Sequence, residues 1–398
     1  MSLDVADVVG LVDGERLYQH VLRLQGVKHP IDTPERLDEA GDYIHSEFER
    51  YGLVCHDQVF SVPGFEGTFR NVEAAIKREN NEPELLIVAH YDTVENSPGA
   101  NDNASGVAVM LEAARILAKQ KVGNVRFVGV TLEELNPAFA LKSRQIAQNL
   151  GLKDSKNHYM SLQVSQIMKK LFELQRKHWT MGKGSTESLS AARIELENKM
   201  TQAEIEYVKQ LEKMYEGITP TSWPGQTGMM GSSFWVDEAV RTNKKVMGML
   251  CVETVGFSSE KDHSQRFPQG MKPEMFQTSK VANVEIGNFL VVIGDINSGK
   301  LAQSFSAQSA LDSVCLPCAS LLIPFSYEQM AYGLGDLLRS DHAPFWRRGI
   351  PALMLTDTAD FRYPYYHTEA DTIDKLDFSF ITRICKATVA TAIDLTRS

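Results

Sequence analysis

The apolar positions of this chain run without polar alternation in some stretches and at helical spacing in others. Residues 86–89, Leu-Ile-Val-Ala, form an unbroken apolar run, as expected of a strand buried on both faces. The run ends in His90-Tyr91-Asp92. Over 105–120, Val107, Met110, Leu111, Ala114, Ile116 and Leu117 then fall at the spacing of a helix. A second apolar run over 125–132 predicts another buried strand, closed by Glu133 and Glu134. A strand–helix–strand unit of this length is a right-handed crossover, which brings both strand ends to one edge of a sheet.

The same reading extends to the rest of the chain. Helices are expected over 13–24 and 33–51, the second capped by Thr33 with Pro34 in its first turn. Segments 54–62 and 69–76 alternate as strands and precede the buried run at 86, so they should form an antiparallel edge. From 137 to 223 the pattern changes to Lys, Glu, Gln and Met with long helical periodicity. One amphipathic helix is marked by Val164, Ile167, Met168, Leu171 and Leu174. A second, opened by a Thr201/Glu204 capping box, is marked by Ile205, Val208, Leu211, Met214 and Ile218. An interruption of that size is too long for a loop. It is read as a hairpin-like helical subdomain over 137–222, interrupting an α/β/α domain made of 1–136 and 223–398. Its two readings are a lid over the site and a dimerisation arm that would make a homo-oligomer. Helix 231–241, strands 246–252, 289–293 and 352–355, and a closing helix 378–395 follow. The fold class is α/β: three layers with a mixed, mostly parallel central sheet and a helical insertion.

Composition narrows the function. With 398 residues, 43% hydrophobic and 23% charged, the chain has ample material for a large core. A formal net charge of −10 argues against nucleic acid or an anionic membrane as partner. No apolar run reaches the roughly 18 residues a membrane span needs. The acidic amino terminus has no basic region before an apolar core, so a cytoplasmic location is expected, with secretion of a processed form as the alternative. The five cysteines are scattered, and the one close pair, Cys315 and Cys318, has no second pair to complete a four-thiolate site.

The chemistry sits at the strand ends. His90, Asp92, Asp102, Glu133 and Glu134 should converge at one sheet edge, where open α/β sheets place their sites. The plain alternative is a solvated His beside a charged turn. Carboxylates so gathered repel one another unless cations lie among them. Glu253, at the end of another strand, and His367, in a late loop, complete a set suited to two divalent ions, zinc foremost. Ser340-Asp341-His342 reads as structural or substrate-side, and His158, His178 and His263 as solvated.

These segments resemble the di-zinc aminopeptidases, the family of bacterial leucyl aminopeptidases and, more distantly, glutamate carboxypeptidase. The matching motifs are AHYDT (89–93), GANDNASG (99–106), LEEL (132–135), MGSSFWV (230–236), CVETVG (251–256), SDHAPFW (340–346) and YYHTEADTIDKLD (365–377). The resemblance implies that His90 and Glu253 hold one ion, that Glu134 and His367 hold the other, and that Asp102 bridges them. It also implies Glu133 as general base, Asp92 as the acid orienting His90, and Tyr366 as support for an oxyanion. Many members carry Asp where this chain has Glu253, and the long insertion is not typical of them. The implied activity is removal of an amino-terminal residue from a peptide, using a water shared by two zinc ions, with cobalt or manganese as alternative metals. Rival readings are a small-molecule amidohydrolase or carboxypeptidase, a single-zinc enzyme that cyclises amino termini, and a non-catalytic binding protein.

Overall fold

The computed structural model describes residues 4–76, 82–268 and 270–397. Among them nine strands form one sheet: β1 (Val54–Phe60), β2 (Phe69–Ala75), β3 (Glu84–His90), β4 (Val125–Val130), β5 (Val246–Glu253), β6 (Gln277–Ser279), β7 (Leu290–Gly294), β8 (Cys318–Leu322) and β9 (Ala352–Thr356). Their spatial order is β1-β2-β4-β3-β5-β9-β7-β8-β6. The four central strands, β4, β3, β5 and β9, are mutually parallel, while β1 and β2 on one flank and β7 and β6 on the other join by antiparallel pairing. β3 shows why the sheet is central. Its Leu85, Ile87 and Ala89 enter one core, with helices Gly14–Leu24, Pro34–Arg50, Gly106–Lys119 and Phe378–Thr396, and Leu86 and Val88 enter the other, with helices Met230–Arg241 and His342–Arg347. Both faces are therefore covered, giving the three layers. From β3 the chain crosses over to β4 on one side, and β5 pairs on the other, so the strand order reverses beside β3.

The helices of the interruption are Pro137–Asn149, Leu162–Thr180, Ser185–Leu196 and Gln202–Met214. Four helices thus replace the two-helix hairpin expected from periodicity. They share a small core of their own, in which Met168, Leu171, Leu189, Ala192, Tyr207 and Val208 are buried. Where the segment leaves and rejoins the sheet, its ends are stitched together. Asn136 N–H donates to the Thr227 carbonyl, and Met229, Met230 and Gly231 donate to the carbonyls of Glu133, Leu132 and Thr131. Gly228 is required at this seam, because a Cβ there would lie 2.6 Å from the Glu133 carbonyl oxygen. No helix among the described residues is long and apolar enough to cross a membrane.

Candidate active site

His90, Glu133 with Glu134, and Glu253 come from the carboxyl ends of β3, β4 and β5, neighbours in the sheet. Asp102 arrives on the segment that turns into helix Gly106–Lys119, and His367 on the loop after β9, its backbone in the left-handed region at φ 57°. The side chains fall into two groups that share one residue. His90 Nε2 lies 3.1 Å from Asp102 Oδ1 and 3.3 Å from Glu253 Oε2. His367 Nε2 lies 3.1 Å from Asp102 Oδ2 and 3.2 Å from Glu134 Oε2. Each oxygen of Asp102 thus serves a different imidazole.

These separations suit ligands of common ions. Metal–ligand distances of roughly 2.0–2.1 Å in tetrahedral geometry place neighbouring ligand atoms roughly 3.3–3.4 Å apart. The observed 3.1–3.3 Å is close to that. Moreover, His90 Nε2, Asp102 Oδ1 and Glu134 Oε1 are buried without a hydrogen-bond partner, an arrangement costly for polar atoms unless a cation satisfies them. His90, Asp102 and Glu134 each offer a ligand atom within 4.8 Å of the others. The residues present fit divalent metal.

Electrostatics point the same way. The carboxylates of Asp92, Asp102, Glu133, Glu134, Glu253 and Asp341 crowd around two imidazoles. Burial raises the Glu134 carboxyl to about 7, against the His367 imidazole and with the Asp102 carboxylate adding to the rise. Burial would raise Asp102 as well, but His367 and His90 hold it well below the usual carboxylate range. His367 is pushed the other way, up to about 10, because Glu134 and Asp102 outweigh its burial. Glu133 makes no ion pair with either imidazole among the contacts of the site, and it is only partly buried. Burial raises it well above an ordinary glutamic acid, with Glu134, Glu253 and Asp341 adding to the effect and His90 opposing it.

Neighbours fix these groups. Asp92 accepts the backbone N–H of Glu133 at 3.1 Å and of Glu134 at 3.2 Å, and its Oδ1 lies 3.5 Å from His90 Nδ1. It therefore sets the β4 end as well as facing the first imidazole. Tyr366 stacks on His367 with ring centroids 3.8 Å apart, and Arg339 donates to its hydroxyl at 3.5 Å. Burial keeps that phenol protonated, pushing its pKa well up despite Arg339.

Several positioning residues lie inside the sequence motifs; Asp371 and Asn103 carry no role in the sequence reading, and Ser340 is read there only as structural or substrate-side. Asp371 accepts the N–H groups of Asn101 and Asp102 and the Tyr363 hydroxyl, which anchors the segment bearing Asp102. The Asn103 amide donates to the Val252 carbonyl and accepts from Thr254 N–H, tying the same segment to β5. Ser340 Oγ donates to Glu253 Oε2 at 2.8 Å. That bond gives Ser340 a definite place beside the site, whereas His342 is buried with Nε2 against the Leu337 carbonyl, a structural contact. Ser340→Ala frees the Glu253 carboxylate and should weaken divalent-metal binding by roughly 10–100-fold, the range for losing a group that orients a ligand. Competition with a graded chelator measures this, and unchanged affinity would remove Ser340 from the site. His158 and His263 are exposed, but His178 is not the solvated residue expected. Its Nε2 pairs with Glu195 at 2.6 Å, and its side chain is largely buried within the insertion, because helices Leu162–Thr180 and Ser185–Leu196 pack together there. All five cysteines are free, Cys315 exposed and Cys318 buried.

A doubly covered α/β sheet presenting histidines and carboxylates at the ends of its central strands is the architecture of zinc-dependent exopeptidases. The model of Peptidase family M28 matches residues 71–217 and 212–392, and the chain belongs to that family. It is thus a peptidase, hydrolysing peptide bonds. The uncharacterized protein YfbL of Escherichia coli is 23% identical over 382 residues, 93% of this chain and 84% of that protein. Aminopeptidase YwaD of Bacillus subtilis is 36% identical over 103 residues, but the match spans only 25% of this chain and 22% of YwaD. Among solved structures, the LapA aminopeptidase of Legionella pneumophila superposes with a TM-score of 0.58 at 16% identity, covering 99% of this chain and 75% of that one. A glutaminyl cyclase of Porphyromonas gingivalis superposes at 0.53 with 16% identity, covering 97% and 99%.

Proposed function

We propose that the chain is an aminopeptidase that removes one residue at a time from the amino end of a peptide, with zinc held by His90, Asp102 and Glu253 at one position and by His367, Asp102 and Glu134 at the other. The observation that carries this reading is the sharing of Asp102 between two His–carboxylate groups. Bound zinc would polarise the scissile carbonyl and lower the pKa of a water near it. Glu133, free of the two groups and next in sequence to Glu134, takes the proton from the attacking water and returns it to the leaving amine. The Tyr366 hydroxyl, kept protonated and steadied by Arg339, donates to the oxyanion. Asp92 holds the backbone of both glutamates so that Glu133 keeps its aim.

Two cavities border these groups, one at Glu253 and one at Glu134, and give the substrate a direction. Beyond Glu253 and Tyr366 lies the more enclosed one, walled by Phe267, Met271, Phe276, Val291, Ile293 and Met354. An exopeptidase taking a single residue needs a closed pocket on one side of the scissile bond and room on the other. This pocket suits an apolar amino-terminal side chain. The test is a panel of zinc-loaded assays with free, acetylated and amino-terminal glutamine peptides. Release of leucine or a similar residue from free amino termini only is expected. Cyclisation of glutamine without peptide cleavage, or release from the carboxyl end, would replace the reading.

A further inference from the structure

A second cavity, wider and more open, is bordered by Glu134 and shares Arg339 with the first. Its other walls come from the helical insertion and its return to the sheet: Phe172, Arg176 and Trp179 on helix Leu162–Thr180, and Tyr215 and Trp223 after it. Arg339 borders both cavities, while Glu253 borders only the first and Glu134 only the second. A peptide bond held between Glu253 and Glu134 would therefore have one side chain in the apolar pocket and the next under the insertion.

The insertion is fastened in this position. Arg176 Nη2 lies 2.9 Å from Asp336, its Nη1 lies 2.5 Å from Asp360, and the same two acids flank Arg339. Trp179 meets Trp223 edge to face with ring centroids 5.1 Å apart and packs against Gly335, where a Cβ would come within 2.9 Å of the indole. Both guanidiniums are matched by the two aspartates, so the cavity keeps no surplus positive charge from them. Beside Glu134 and the uncharged Gln175, Ser185 and Thr227, its apolar surface is aromatic, from Phe172, Trp179, Tyr215 and Trp223. Phe172 stays 38% exposed, a large apolar side chain at the rim of a cavity beside the acid groups.

We infer that the insertion builds the subsite for the residue that follows the scissile bond, and that it selects an aromatic or large aliphatic side chain there. This rests on the aminopeptidase reading and adds a second specificity to it. Phe172 and Trp179 are the specificity-determining residues, and Arg176 is a positioning residue that fastens their helix. Short peptides with a bulky second residue are then the preferred substrate class, because that side chain exchanges water for aromatic surface as it binds.

The experiment compares kcat/KM for Leu-Phe and Leu-Ala in the zinc-loaded wild type, Phe172→Ser and Trp179→Ala. Leucinamide, which has no second side chain to place, gauges the working sites in each preparation. The wild type should prefer Leu-Phe by roughly tenfold or more, the scale on which a pocket distinguishes apolar side chains. In Phe172→Ser the preference should shrink several-fold, and in Trp179→Ala it should approach one. Phe172 lies at the surface, so its replacement reads specificity even if Trp179→Ala folds poorly. Leucinamide turnover with equal kcat/KM for the two dipeptides, or a Phe preference unchanged in Phe172→Ser, would overturn the subsite alone. No turnover of leucinamide or of either dipeptide would overturn the aminopeptidase reading and the subsite with it.

Discussion

Glu133→Gln should retain zinc and fold normally while kcat falls by roughly 10²–10⁴-fold, the usual contribution of a positioned general base. That corresponds to about 2.7–5.4 kcal/mol on the barrier. The amide is isosteric with the carboxylate, and the Glu133 backbone bond to Asp92 does not involve the side chain. Glu133 also stands outside the two His–carboxylate groups, so its charge is not needed to hold an ion. Steady-state kinetics beside elemental analysis check this. Near wild-type turnover at full zinc would assign the proton transfer elsewhere.

Asp102→Asn should behave in the opposite way, losing metal first and activity as a consequence. Each Asp102 oxygen serves a different imidazole, and an amide nitrogen in place of one oxygen presents a donor where a cation should sit. The loss of affinity should exceed the roughly 10–100-fold expected from removing an orienting neighbour, because a ligand itself is changed. Zinc content after gel filtration reads the effect directly, with less than the wild-type amount expected. An Asp102→Asn protein that kept wild-type zinc and turnover would contradict the shared-ligand arrangement. Together the two variants separate a residue that moves a proton from one that holds the metal.

The parts of the fold legible in the sequence were those whose pattern is local. β3, the helix after it and β4 each carry an apolar period that needs no partner to be read, and their connection dictates a parallel pair. The antiparallel flank of β1 and β2 was equally visible through its alternation. β8 was not, because five residues following Cys-Leu-Pro are too few to show a period, and β6 is only three residues long. Helix Ser185–Leu196 was missed because the face it buries includes Ser185, Ser188 and Ala192, small or polar residues that leave little hydrophobic signal.

At the site, residue types and strand ends bring His90, Asp92, Asp102, Glu133 and Glu134 into view and Glu253 and His367 complete a metal set, while the family resemblance adds Tyr366 and the individual role of each residue. The supporting bonds were hidden. Asp371 reaches the Asp102 backbone across 269 positions, and Ser340 reaches Glu253 across 87. Such contacts exist only once the sheet is assembled, so no local spacing announces them. The burial of His178 is hidden for the same reason, since its polar neighbours in sequence say nothing of the helix that packs against it.

The central claim is a pair of zinc positions joined by Asp102, and zinc stoichiometry tests it most directly. The wild-type chain, stripped by chelator and titrated with zinc, is followed by elemental analysis and leucinamide hydrolysis at each step. The account predicts two zinc ions per chain at saturation, with activity still rising as the second binds. A single zinc per chain supporting full activity, or full activity with none, would contradict it.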